Sequence, residues 1–210
     1  MLKPEISEFL SDFKPKTHAI LFYDNQDNKH DLLFNHLKFG AESNQGLAYV
    51  CSEEKPLEIQ QEMREFGIEV DALRERNRLT INNYDRVYIV NQQVDIPTIM
   101  GTFADLSKKY RSMGLDGTRA AAEMSCFFKE GKVKELIDYE YALHRKLAFP
   151  AEGICAYNIF DLVHSGKLET IMPLVRAHDP VIIAGPTEGL ILEPDKVKPN
   201  RVEAAMQIQG

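Results

Sequence analysis

The alternation of short apolar runs with longer segments of helical period is the feature that most constrains the fold of this chain. The run His18–Tyr23 is the clearest, because its central residues Ala19–Phe22 are all apolar, as in strands buried on both faces. Strands separated by helices predict a mostly parallel α/β sheet with helices on both faces. The other predicted strands are Leu47–Cys51, Leu79–Asn82, Thr118–Met124, Gly153–Tyr157, Val181–Ala184 and Leu190–Leu192, the last in a hairpin with the strand before it.

Apolar residues at i, i+3, i+4 and i+7 mark the helices between these strands. The predicted helices are Glu5–Phe13, Asn28–Glu42, Lys55–Phe66, Ile96–Tyr110, Gly131–Leu147 and Leu168–Val175. The sequence contains no internal repeat and no segment typical of a linker. We therefore expect one domain over residues 1–210, with a leading helix in 1–16, a core in 17–192 and a polar tail in 193–210.

Charge and cysteine content exclude several classes of protein. The 210 residues include 25 Lys+Arg and 32 Asp+Glu, a net charge of −7, which argues against direct nucleic-acid binding. Cys51, Cys126 and Cys155 lie far apart in apolar surroundings, so we interpret them as reduced core residues and predict no metal and no cofactor. The N-terminus lacks an apolar signal region and no stretch is apolar enough to cross a bilayer, so we expect a cytoplasmic protein without a membrane partner.

The turn after the first strand, Tyr23–His30, is where a nucleotide-binding protein of this class would hold phosphate. It has no glycine to let backbone amides approach an anion, and Asp24 and Asp27 would repel one. Lys29 has the simpler interpretation of a solvated side chain on the first turn of a helix. We therefore predict that the protein neither hydrolyses ATP nor binds it tightly with magnesium.

Ligands of parallel α/β sheets bind beyond the carboxyl ends of the strands, where this sequence places carboxylates and tyrosines. Each of these residues taken alone is more often a cap or turn residue. Glu123 ends an otherwise apolar strand, so it is either capped by local amides or reserved for a ligand. We expect a small, partly apolar ligand to contact Tyr23, Asp24, Ser52, Glu53, Glu54, Tyr84, Tyr88, Glu123, Tyr157 and His178.

The predicted helix Gly131–Leu147 carries two ionisable residues within its apolar stripe. At 100° per residue, Glu140 and His144 face inward together, and their i, i+4 spacing lets them pair. The pair is either structural or directed at a ligand. A metal site of these two residues with Glu123 is geometrically conceivable, although we predict none.

Residues 84–95 form a long connection with its own aromatic content. Such a segment is either a lid, with Tyr84 and Tyr88 closing over a ligand, or an additional edge strand, since Val87–Val90 has β propensity. The sequence does not decide between the two.

The order of these segments resembles the MEDS domain, the methanogen/methylotroph DcmR-type sensory domain, over about residues 17–192. The resemblance rests on His18–Tyr23, Leu37–Glu42, Gly46–Glu54, Phe66–Ile68, Gly117–Met124, Tyr139–Glu140, Cys155–Tyr157 and Arg176–His178. It implies a RecA/KaiC-like fold whose first βα turn has lost the phosphate-binding residues. It also places Glu53-Glu54 where KaiC-like ATPases have a catalytic glutamate pair.

The resemblance implies a sensor of hydrocarbon derivatives or other small molecules with no catalytic residues. The family module is often joined to a DNA-binding or kinase domain, for which this chain has no room. We therefore expect the signal to pass through a separate protein or through self-association. Two alternatives are a residual nucleotide-binding enzyme that uses Glu53, Glu54 or Glu123, and an interaction module with a vestigial pocket.

Overall fold

The computed structural model describes residues 4–146, 151–165, 168–185 and 189–192. The strands within these ranges are β1 (His18–Tyr23), β2 (Gly46–Cys51), β3 (Leu79–Asn83), β4 (Thr118–Glu123), β5 (Ala151–Asn158), β6 (Val181–Ala184) and β7 (Gly189–Leu192). The helices are α1 (Pro4–Ser11), α2 (Gln26–Glu42), α3 (Pro56–Glu65), α4 (Val70–Glu75), α5 (Ile96–Ser112), α6 (Ser125–Lys129), α7 (Val133–Lys146), α8 (Ile159–His164) and α9 (Ile171–Arg176).

The described strands form one sheet in the order β3-β2-β4-β5-β1-β6-β7. Every pairing is parallel except that of β6 with β7, which is antiparallel. The predicted mostly parallel α/β sheet with a C-terminal hairpin is therefore confirmed. The sequence did not predict the short helices α4, α6 and α8, and the predicted tail at 193–210 lies outside the described residues.

Apolar side chains cover both faces of the sheet, which explains why β1 and β2 are buried along their whole length. On one face, which we call the first face, residues such as Leu21 and Tyr49 pack with α1–α4. On the opposite or second face, residues such as Ile20 and Tyr157 pack with α5–α9. The result is three layers, with one helical layer on each side of the sheet. No helix among these residues is long and apolar enough to cross a membrane.

The connection between β3 and α5 is neither a lid nor an edge strand. A short 3-10 helix at Tyr84–Arg86 leads into Val87, Tyr88 and Ile89, all of them buried in the second-face core. Val90 and Gln93 then form an isolated bridge around a tight turn. The backbone of this segment does not pair with the edge of the sheet, and its apolar side chains are buried in the core. The segment is therefore a loop held in place by its own side chains.

Candidate functional site

The carboxyl ends of the central strands bring three carboxylates around one buried lysine. Lys29 lies on the first turn of α2 and has no exposed surface. Its Nζ atom is 2.7 Å from Glu123 Oε1, 2.8 Å from Glu54 Oε2 and 3.5 Å from Glu53 Oε2. We call these four residues the Lys29 cluster. One ammonium group thus compensates carboxylates from the end of β4 and from the turn after β2.

Glu123 is held from several directions. The backbone amides of Ser52 and Glu53 both donate to Oε2 at 2.7 Å, and the Tyr49 hydroxyl donates to Oε1 at 2.7 Å. With Lys29 on the same Oε1, both oxygens of this fully buried carboxylate have donors. The group is therefore capped by local amides, one of the two roles that its position in the sequence left open.

Glu53 is held in a similar way. Its Oε1 accepts hydrogen bonds from the Tyr23 hydroxyl and the Ser125 hydroxyl, and its Oε2 accepts one from Gln26 Nε2 at 2.6 Å. These donors come from the end of β1 and the starts of α2 and α6. Glu53 therefore ties three elements together at the carboxyl edge of the sheet.

Lys29 and Glu54 are both ionised at neutral pH. Burial raises the pKa of Glu54, but hydrogen bonds from His30 and Lys29 outweigh burial and lower it to about 2. Burial lowers the pKa of Lys29, but the attraction of Glu123 and Glu53 is stronger and the net shift is upward. The ammonium group of Lys29 and the neighbouring carboxylates therefore each stabilise the charged form of the other.

The connection between β1 and α2 is too short to wrap a triphosphate. Strand β1 ends at Tyr23 and α2 begins at Gln26. The Asn25 side chain caps the helix by accepting from the Asn28 amide at 2.9 Å, and the Asn25 carbonyl accepts from the Lys29 amide at 3.2 Å. Two amides that a phosphate loop would present to an anion, those of Asn28 and Lys29, are therefore already bonded within the start of the helix.

The structure divides the predicted ligand-binding residues between two places. Those that meet at the Lys29 cluster are Tyr23, Ser52, Glu53, Glu54 and Glu123. Asp24 lies beside them in the βα turn and accepts from Asn28 Nδ2, whereas Tyr84 hydrogen-bonds Glu130 at the surface. Tyr88, Tyr157 and His178 lie on the second face. The prediction of one shared pocket is wrong, because Glu123 and Tyr157 project to opposite faces of the sheet.

Glu140 is fully buried on the second face, as its place in the apolar stripe predicts. It accepts a hydrogen bond from the Tyr157 hydroxyl, and its Oε2 lies 3.2 Å from His18 Nε2 and 3.4 Å from His178 Nε2. The predicted pairing with His144 is wrong, since that side chain is exposed near the end of α7. The conceivable metal site with Glu123 is excluded by the sheet that separates Glu123 from Glu140.

A small apolar pocket lies beside Glu140, on the second face near the amino ends of the central strands. It has a volume of about 40 Å³, and helices α5 and α7 cover it. Its lining residues are Thr17, His18, Tyr88, Phe103, Ala120, Ala121, Ala122, Tyr139, Leu143, Ala151, Gly153, Ile154 and Cys155. The pocket is thus almost wholly apolar, with His18 and Cys155 as its polar groups from the sheet.

The sequence did not predict several residues of these sites, among them Lys29, His18 and Cys155. The sequence predicts a solvated Lys29, although this is the seventh residue of Tyr23–His30, the position of the lysine in the eight-residue phosphate-loop motif. That position is the sequence feature that could have identified Lys29 as a site residue. His18 and Cys155 have no such feature, because a histidine at the start of a strand and a cysteine within one are ordinary core residues.

Similar folds occur in solved structures from the hyperthermophilic archaeon Pyrococcus horikoshii. A KaiC-like protein is 16% identical with a TM-score of 0.62, covering 90% of this chain and 84% of that one. An uncharacterized protein solved in complex with an unknown peptide is also 16% identical, with a TM-score of 0.69 and coverage of 94% and 93%. At these identities the likeness shows the fold alone, and it confirms the predicted RecA/KaiC-like architecture.

No curated protein matches the chain significantly. The family model described as the methanogen/methylotroph, DcmR sensory domain matches residues 17–179, which is most of the chain. The match covers the strands and helices that build both the Lys29 cluster and the second-face pocket. The chain therefore belongs to the MEDS family of sensory domains.

Proposed function

We propose that this sensory domain binds a small, partly apolar molecule in the second-face pocket and does not hydrolyse ATP. Ligand binding is supported by the pocket itself, an apolar space bordered by the buried polar groups of His18 and Cys155. Binding sites for small molecules combine an apolar lining with a few placed polar groups. Its volume of about 40 Å³ suits a molecule of only a few heavy atoms.

This proposal places the ligand away from the carboxyl ends of the strands. The space at those ends is occupied by the Lys29 side chain, whose ammonium group is bonded to Glu54 and Glu123. A ligand there would have to break ion pairs that are largely buried, at a cost of several kcal/mol. A ligand in the second-face pocket would leave these ion pairs intact.

Gly153 offers a direct test of the pocket. A Cβ atom added at this glycine, which lines the pocket, would meet nothing within 4 Å. Gly153→Val therefore adds a side chain that begins in open space and extends into the pocket. A matched control is Gly101→Ala on α5, where an added Cβ is also free of contacts but the residue is exposed and outside the pocket.

Native mass spectrometry of the protein purified from its own source measures a retained small molecule. We expect wild type and Gly101→Ala to retain it and Gly153→Val to lose it, with the same far-UV circular dichroism in all three. Xenon NMR under gas pressure gives a second readout of the same pocket, because xenon enters apolar spaces. Equal occupancy in Gly153→Val and wild type would show that the ligand binds elsewhere.

The lack of ATP hydrolysis rests on Lys29 and on the start of α2. The lysine that would meet a phosphate is neutralised by carboxylates, and the βα connection is only two residues long. Calorimetric titration with ATP and magnesium should give no binding heat. Micromolar affinity would instead support the residual nucleotide-binding enzyme, with Glu53 and Glu54 as the groups to substitute next.

A further inference from the structure

Four buried side chains with metal-binding atoms converge on the second face. They are His18 at the start of β1, Glu140 on α7, Cys155 in β5 and His178 between α9 and β6. All four are at most 4% exposed, and their ligand atoms lie within 4.8 Å of one another. We call them the His-Cys-Glu quartet. Residues 18 to 178 span most of the chain, so the quartet exists only in the folded sheet.

Four of the six distances between the donor atoms are near those found around a tetrahedral ion. His18 Nε2 lies 3.2 Å from Glu140 Oε2 and 3.4 Å from Cys155 Sγ. Glu140 Oε2 is 3.4 Å from His178 Nε2 and 3.8 Å from Cys155 Sγ. Zinc bonds of about 2.0–2.3 Å at tetrahedral angles separate neighbouring ligand atoms by about 3.3–3.6 Å. These four of the six donor–donor distances lie near that range, and the other two are at most 4.8 Å.

The orientation of His178 supplies a second, independent observation. Its Nδ1 donates to the Leu174 carbonyl at 2.6 Å, which fixes the ring and leaves Nε2 with the lone pair in the neutral form. That Nε2 is buried and has no hydrogen-bond partner among the described residues, although it faces Glu140 Oε2. A lone pair directed at a carboxylate requires a positive charge between them, from a proton or from a metal ion. A backbone carbonyl on the far ring nitrogen is the usual support of a ligating histidine.

A divalent metal ion would balance the charges of the quartet. A divalent ion bound by one thiolate, one carboxylate and two neutral imidazoles forms a site with no net charge, which a buried position requires. On binding, the Cys155 thiol releases its proton to solvent and a metal–sulfur bond forms. The Tyr157 hydroxyl donates to Glu140 Oε1 and leaves Oε2 directed at the other three side chains.

We propose that His18, Glu140, Cys155 and His178 bind one divalent transition-metal ion, with zinc as the best match to this donor set. The inference goes beyond the proposed sensory function and does not depend on it. His18 lines both the second-face pocket and a surface groove of about 290 Å³ formed with Pro15–Thr17, His144 and Asp179. The groove therefore borders one member of the quartet, His18.

Cobalt(II) titration of the chelator-treated full-length chain tests the site, because cobalt replaces zinc and reports its own coordination. We expect one equivalent to bind, with ligand-field absorption typical of tetrahedral cobalt and a thiolate-to-cobalt charge-transfer band. Zinc should displace the cobalt and raise the thermal unfolding temperature. Elemental analysis of the protein as purified should find zinc at up to one equivalent.

Variants distinguish cobalt binding at the quartet from cobalt binding at other cysteine thiols. Cys155→Ser should abolish the charge-transfer band and weaken cobalt binding at least about tenfold, and His178→Gln should weaken it similarly. The matched control is Cys126→Ser, another buried free cysteine outside the quartet, which should bind as wild type does. Absence of stoichiometric cobalt binding by the folded wild type, or binding unchanged in Cys155→Ser, would overturn the proposal.

Discussion

At the scale of single residues, the Lys29 ammonium group and its carboxylates determine the chemistry of the carboxyl edge of the sheet. The cluster holds three glutamates and one lysine, and its negative charges are stabilised by amides and hydroxyls as well as by the ammonium group. Removing one member of such a group is costly, because the others remain buried without compensation.

Lys29→Met should therefore lower the free energy of unfolding by about 3–5 kcal/mol. The same substitution at the exposed Lys108 on α5 should change it by less than about 0.5 kcal/mol. Urea unfolding followed by circular dichroism measures both. Adding Glu123→Gln to Lys29→Met should restore part of the loss, because it removes one uncompensated charge. Similar stabilities for Lys29→Met and Lys108→Met would contradict the buried ion-pair description.

The lowered pKa of Glu54 predicts a loss of stability in acid. This carboxyl group has an ordinary pKa of 4.5 and a folded-state value of about 2, so its ionised form stabilises the fold. That contribution is complete above about pH 4.5 and disappears as the pH falls toward 2. Unfolding free energies measured across this window should fall less steeply for Glu54→Gln than for wild type. The exposed Glu62→Gln should follow the wild-type slope; equal slopes for all three proteins would refute the prediction.

At the scale of elements, a glycine determines how closely α5 packs on β2. A Cβ atom at Gly46 would lie 2.2 Å from the Tyr110 ring. That ring cannot move aside easily, because it is fully buried and its hydroxyl donates to the Leu47 carbonyl at 2.7 Å. The first residue of β2 is thus a glycine for reasons of space.

Gly46→Ala should destabilise the protein by about 1–3 kcal/mol through overpacking. Gly101→Ala, within the exposed part of α5, should instead stabilise it by about 0.5–1 kcal/mol, because alanine favours the helix. Thermal unfolding of the two variants gives shifts of opposite sign. Shifts of the same sign would show that Tyr110 does not restrict position 46.

At the scale of the whole molecule, the two cores share one sheet and should unfold together. Leu33 on α2 belongs to the first-face core and Leu136 on α7 to the second-face core, and both are fully buried. Leu33→Ala and Leu136→Ala should each cost about 2–5 kcal/mol and shift one common transition. The control Leu57→Ala, with a side chain 76% exposed, should shift it little. Two separate transitions in either core variant would show that the faces are independently stable.

The sequence by itself determined the order and kind of most elements. Continuous apolar runs such as β1 and stripes such as that of α5 depend on residues close in the chain, so they can be read locally. The same reasoning placed Glu140 in the core, because helical period alone settles which face a residue occupies. It could not find α4 or α6, which have six and five residues and are too short to show a period.

Only the tertiary structure decided which charged and ligating groups meet. Lys29 and Glu123 are 94 positions apart, and His18 and Cys155 are 137 positions apart, yet both pairs are in contact. The strand order sets these meetings, since β5 lies between β1 and β4 and joins residues from distant parts of the chain. Glu123 and Tyr157 were assigned to one pocket because both stand near strand ends. They occupy opposite faces because side chains alternate along a strand and Glu123 pairs with Ala156, the residue before Tyr157. The register between β4 and β5 that makes this pairing is fixed by packing across the whole sheet.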